Sequence, residues 1–159
     1  MKTAIIYYSL DGNSRLTANI IRDEVQGDIY EIETLDNKKR RGLYKVAWGV
    51  FQVMRNKIPP IRPQNIDLNA YDLIILGSPV WAGSPAPALV SFIKETSISG
   101  KRLALFCSHA GSIEEFFSST RNLLPDNSFA GELAIKNPAK MDRENLQKII
   151  KDWVKTLSP

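Results

Sequence analysis

The sequence predicts a three-layer α/β sandwich, a five-stranded parallel sheet in the order 2-1-3-4-5 with helices on both faces. Three observations predict it. Short apolar runs alternate with segments of helical periodicity along the chain, and such alternation implies a parallel sheet covered on both sides. Right-handed crossovers then leave few topologies, and five strands favour this order, with a ligand crevice at the carboxyl ends of strands one and three. Small and polar residues cluster in the segments after strands one, three and four, where that crevice would lie.

The first strand is Thr3 to Tyr8, an apolar, β-branched and aromatic run of the kind a doubly covered strand needs. Leu16, Ile20, Ile21 and Val25 then mark one side of a helix over 15–25. Asp28 to Glu33 alternates apolar with polar, which suits an edge strand. A second stripe, Leu43, Val46, Ala47, Val50, Phe51, Val53 and Met54, predicts a crossover helix stopped by Pro59-Pro60. Strands three and four are Asp72 to Gly77 and Arg102 to Cys107. Between them, Ser84-Pro85 reads as an N-cap with proline at the first helical position of a helix reaching about Glu95. Ser112-Ile113-Glu114-Glu115 reads as a capping box opening a helix through Phe116, Phe117 and Leu123. Ser128 to Ile135, with Gly131 inside it, is the other edge. Leu146, Ile149, Ile150, Trp153, Val154 and Leu157 follow helical spacing in the last helix.

At 159 residues the chain is expected to form one domain, residues 1–159, large enough to bury a core without disulfide or metal staples. It has 43% hydrophobic and 24% charged residues, too apolar for disorder. No run of 18 apolar residues predicts a membrane span. The N-terminus reads as a strand and not as a signal peptide. With Cys107 as the only cysteine, no intrachain disulfide can form, and a reducing cytoplasm fits. His109 is the only histidine, which excludes a two-His metal site. The net charge of +4 is local. Residues 38 to 62 hold eight bases and no acid, which leaves the rest of the chain at −4. Such a scaffold is no general nucleic-acid binder, and no recognition motif accompanies the basic segment.

The chemistry lies in three loops. The first, Ser9-Leu10-Asp11-Gly12-Asn13-Ser14, follows a strand and opens a helix. Backbone N–H groups at a helix N-terminus, with the Ser9 and Ser14 hydroxyls, can cradle a phosphate without a lysine. Neither a Walker A ending nor a G-x-G-x-x-G fingerprint is present, and a plain βα turn is the competing reading. The second loop, Gly77-Ser78-Pro79-Val80-Trp81-Ala82-Gly83-Ser84-Pro85, sets a tryptophan among small residues. That indole is either core cover or an aromatic wall for a flat ligand. The third, Cys107-Ser108-His109-Ala110-Gly111-Ser112, is small enough for backbone amides to reach a ligand edge.

Together the three loops, in this order and at these strand ends, resemble the flavodoxin family over nearly the whole chain. The resemblance is nearest to small bacterial flavodoxin-like proteins with a Gly-x-Pro-Val-Trp-Ala-Gly loop and a Trp-Gly pair before strand three, here Trp48-Gly49. It implies FMN as cofactor. Ser9, Asp11, Gly12, Asn13 and Ser14 would serve the phosphate loop. Ser78, Pro79, Val80, Trp81, Ala82 and Gly83 would form the second flavin loop, with Trp81 flanking the ring. Ser108, His109 and Gly111 would reach the pyrimidine end. It also implies a peptide at Ala82-Gly83 whose carbonyl turns to meet the flavin N5. The chain departs from the family in two ways. It is not strongly acidic, and no Tyr or Trp lies between Cys107 and Ser112.

The leading expectation is an electron-transfer protein shuttling electrons through a non-covalent flavin to a redox partner protein or small acceptor. The alternative is an FMN-dependent NAD(P)H:quinone-type oxidoreductase, favoured by the open third loop and the basic segment. A binding module without turnover is the third reading. The 38–62 segment would attract an acidic partner or nicotinamide-cofactor phosphates.

Overall fold

The computed structural model describes residues 1–35 and 58–158. Its central sheet contains β1 (Thr3–Tyr7), β2 (Asp28–Glu31), β3 (Leu73–Trp81), β5 (Arg102–His109) and β6 (Ser128–Lys136), in the order β2-β1-β3-β5-β6. All four pairings along this path are parallel, so the predicted order of five strands holds. A two-residue strand, β4 (Ser84–Pro85), folds back antiparallel on the end of β3. The helices are α1 (Asn13–Val25), α2 (Pro87–Thr96), α3 (Phe116–Asn122) and α4 (Arg143–Thr156).

Side chains alternate across the central strands and divide the core in two. Ala4, Ile6, Ile74, Leu76, Leu103 and Leu105 meet Leu89, Phe92 and Ile93 of α2 on one face. Ile5, Tyr7, Leu73, Ile75, Ala104 and Phe106 meet Ile20 and Ile21 of α1 and Leu146, Ile150 and Trp153 of α4 on the other. Each such aliphatic side chain, fully removed from water, contributes about 1.5–3 kcal/mol. Asp142 caps α4 by accepting from the Asn145 N–H at 3.0 Å.

Three local readings need correction. Ser84-Pro85 is not the start of α2. Pairing with Val80 and Trp81 takes both residues into the hairpin, so the N-cap falls on Ala86 and Pro87 takes the first helical position. Proline at 85 and at 87 offers the same signal twice. The capping box at Ser112 does not open α3 either. The Ser112 hydroxyl accepts from the Glu114 N–H within a separate turn, and the helix begins at Phe116 behind Glu115. Ile149, placed in the buried stripe of α4, is 37% exposed. The predicted helix over 43–54, its Trp48-Gly49 pair and most of the basic 38–62 segment lie outside the described residues. The end of that segment is described: Ile61 is buried and bridges Thr34, and Arg62 pairs with Glu33 at 3.0 Å.

Candidate functional site

Parallel pairing brings the carboxyl ends of β1, β3 and β5 side by side, and each end carries one of the three loops. The first loop turns into α1 through Gly12, whose φ of 95° is open to glycine at little cost. As N-cap, Gly12 has no side chain to satisfy the first helical N–H groups. Ser9 does this instead. Its hydroxyl accepts from the Gly12 and Arg15 N–H groups, both at 3.2 Å. Asp11 accepts from the Asn13 N–H at 3.1 Å and from Asn13 Nδ2 at 2.9 Å. A Cβ built on Gly12 would meet nothing within 4 Å, so this turn borders open space at the positive end of a 13-residue helix.

Ser14 is buried, and its hydroxyl lies 2.6 Å from that of Ser108, 94 residues away. This contact joins the first loop to the third. Ser78 is also buried. It accepts from the Ala86 N–H at 3.2 Å and donates to the Pro79 carbonyl at 3.0 Å, stapling the base of the hairpin. Above it Val80 pairs with Pro85 and Trp81 with Ser84. Ala82 and Gly83 turn the corner with φ of 49° and 80°. A two-residue hairpin favours positive φ at both positions, but for alanine the left-handed region costs about 1–2 kcal/mol. Trp81 stays half-buried, edge-on to Tyr8 with ring centroids 6.0 Å apart and planes at 86°. This contact joins the second loop to the residue that follows β1 and precedes the first loop.

The third loop continues from buried Cys107. Burial first, and the Glu132 charge second, push its thiol up to about 12, so it stays protonated and unreactive near neutral pH. His109 Nδ1 lies 2.6 Å from the Gly111 carbonyl oxygen. A carbonyl only accepts, so Nδ1 is the donor in this contact. The His109 carbonyl in turn accepts from the Asn137 N–H at 2.8 Å. Gly111 is exposed, with nothing near its Cβ position.

Several contributors carry no signal that a local reading of the chain would pick out as part of a site. Tyr8, just past the end of β1, lies on the same sheet face as Ile6, where strand alternation alone would place it. Burial, and then the charge of Glu31, push its phenol up to about 12. Arg15 forms a two-point pair with Glu31 at 2.6 and 2.9 Å, and Tyr7 donates to the same carboxylate at 2.9 Å. The turn after β6 reaches Asn13 through the Ala139 N–H at 3.0 Å. No local motif marks that contact, because it joins residues 126 apart.

A doubly covered parallel sheet with small-residue loops at the carboxyl ends of β1, β3 and β5 defines a flavodoxin-like α/β protein. The flavodoxin domain model matches residues 44–156, and the chain belongs to that family. Among solved structures, a flavoprotein from Lactobacillus acidophilus NCFM in complex with FMN is 29% identical. That match covers 84% of this chain and 92% of that chain, with a TM-score of 0.73. Oxidised flavodoxin 2 from Bacillus cereus is similar in fold, at 18% identity over 99% of this chain and 97% of that one, with a TM-score of 0.63. The flavodoxin of Streptococcus pneumonia TIGR4 is likewise similar in fold, at 13% identity, 99% and 97% coverage and a TM-score of 0.60. No match is found among curated proteins. Among the described residues no helix is long and apolar enough to cross a membrane.

Proposed function

We propose that the chain binds FMN non-covalently in these three loops and works as an electron-transfer flavoprotein. The observation that carries this reading is the convergence of the loops. Ser14 meets Ser108, and Tyr8 meets Trp81, so segments far apart in the chain come together at the carboxyl edge of the sheet. The donor set fits the cofactor. The α1 N-terminus suits a phosphate, with Gly12 leaving open space beside it, Ser9 shaping the turn and Asn13 holding Asp11. Trp81 with Pro79, Val80, Ala82 and Gly83 suits one side of a flat ring, and His109 and Gly111 suit its polar edge. Ser14, Ser78 and Ser108, being buried, brace these segments. Bound FMN would supply one- and two-electron redox chemistry, and the protein would set its potential.

His109 favours a second reading, an FMN-dependent reductase of quinone-type acceptors. With Nδ1 engaged, Nε2 has no hydrogen-bond partner among the described residues and is the ring nitrogen that could pass a proton to an acceptor. Stepwise anaerobic photoreduction of the FMN-loaded protein separates the two. A long-lived half-reduced flavin is the result expected of a carrier. Direct passage to the fully reduced flavin, with NAD(P)H oxidation in the presence of a quinone, would replace the carrier reading with the reductase. A purified protein that neither holds flavin nor takes up added FMN would sink both.

A further inference from the structure

The turn between β6 and α4 is bonded to the candidate site at two points. The Asn137 N–H donates to the His109 carbonyl at 2.8 Å, and the Ala139 N–H donates to Asn13 Oδ1 at 3.0 Å. The turn is short and internally closed. Pro138 to Lys140 form a single 3-10 turn, and the Lys140 N–H returns to the Asn137 carbonyl at 2.8 Å. It therefore presents the Ala139 donor from a constrained position. A backbone N–H only donates, so it holds the oxygen of the Asn13 amide towards itself and leaves Nδ2 for Asp11. Nδ2 donates to Asp11 Oδ2 at 2.9 Å, while the Asn13 N–H donates to Asp11 Oδ1 at 3.1 Å. Both oxygens of an exposed carboxylate, two residues before the helix, are thus oriented by one residue. Each end of the Asn13 amide already holds one partner, which fixes its orientation and leaves a single Nδ2 hydrogen beyond these bonds.

We propose that Asn13 is a positioning residue. It holds the first loop in its anion-accepting shape through Ala139, and the β6–α4 turn is a fourth part of the site. This rests on reading the first loop as the phosphate cradle. FMN and riboflavin share a ring and differ in the phosphate, so the pair isolates the cradle. Both are titrated into the full chain by quenching of flavin fluorescence. Ala139→Pro deletes the distant N–H without touching the first loop's own residues. It should weaken FMN about tenfold and leave riboflavin within about twofold, and Asn13→Ala should do the same. If Asn13 instead held the phosphate directly, Asn13→Ala would weaken FMN and Ala139→Pro would not, which overturns the proposal.

Proline at 139 also restrains Pro138, so a second measurement uses the unaltered protein. Hydrogen exchange at the Ala139 amide should be as slow with FMN bound as without it, or slower. Faster exchange on FMN binding would mean that Asn13 leaves Ala139 for the ligand, and the proposal would fall. A wild-type protein that takes up no FMN removes the phosphate reading itself. That outcome is distinct from a wild type and an Ala139→Pro variant that bind FMN equally well.

Discussion

At Ser14 and Ser108 two buried hydroxyls share one contact across the sheet's carboxyl edge. Removing one leaves the other desolvated, a loss of about 1–3 kcal/mol, whereas removing both costs less than the sum. Ser14→Ala and Ser108→Ala should each lower stability and weaken FMN, and the double variant should be no worse than the poorer single. Denaturant unfolding with FMN titration on all four proteins tests this; strictly additive losses would show that the hydroxyls act separately. The residue types of this site were legible in the sequence, because hydroxyls and glycines after apolar strands mark a loop that meets a ligand. Their division of labour was not. Ser14 and Ser78 look like ligand donors in one dimension, and only the contact of Ser14 with Ser108 and the bond of Ser78 to the Ala86 N–H turn them inward.

At the scale of elements, Gly77 explains how β3 and β5 lie together. It pairs in register with Phe106, and a Cβ there would strike the Phe106 ring. That ring is fully buried, so it cannot swing aside into solvent. Gly77→Ala should therefore cost about 1–3 kcal/mol or more through overpacking, and the penalty should shrink in a Phe106→Leu background. An unchanged unfolding midpoint in Gly77→Ala would refute the close approach. The strands were legible from their β-branched runs, and the order from their alternation with helices. The ends of elements were less so. The extension of β3 to Trp81 depends on pairing with Ser84 and Pro85, a tertiary choice that local proline signals contradict. The start of α3 failed for a related reason, since Ser112 spends its hydroxyl on a turn that the capping-box pattern does not distinguish.

Among the described residues, burial and neighbouring groups hold several phenols and the Cys107 thiol in their protonated forms. Tyr7 is pushed up to about 12 by burial and by its bond to Glu31, Tyr8 to about 12 by burial and the charge of Glu31, and Cys107 to about 12 by burial and the charge of Glu132. In the unfolded chain these groups release their protons near 10 for tyrosine and 9 for cysteine. Above those values the native state binds more protons than the unfolded state, so stability falls as pH rises. The stabilisation is whole below about pH 9 and is lost progressively as the pH rises towards about 12. The melting temperature with respect to these groups should hold from neutral pH to about 9 and then descend. The descent should be shallower in Tyr8→Phe, which keeps the ring against Trp81 and removes the titrating oxygen. Tyr7→Phe is the less direct variant, because it also strips Glu31 of a donor. A melting temperature that stays level to about pH 11, or a Tyr8→Phe profile parallel to the wild type, would mean that these three side chains do not govern alkaline unfolding. The two-point Arg15–Glu31 pair would then be the place to look for what holds the carboxyl edge of β1 and β2 together.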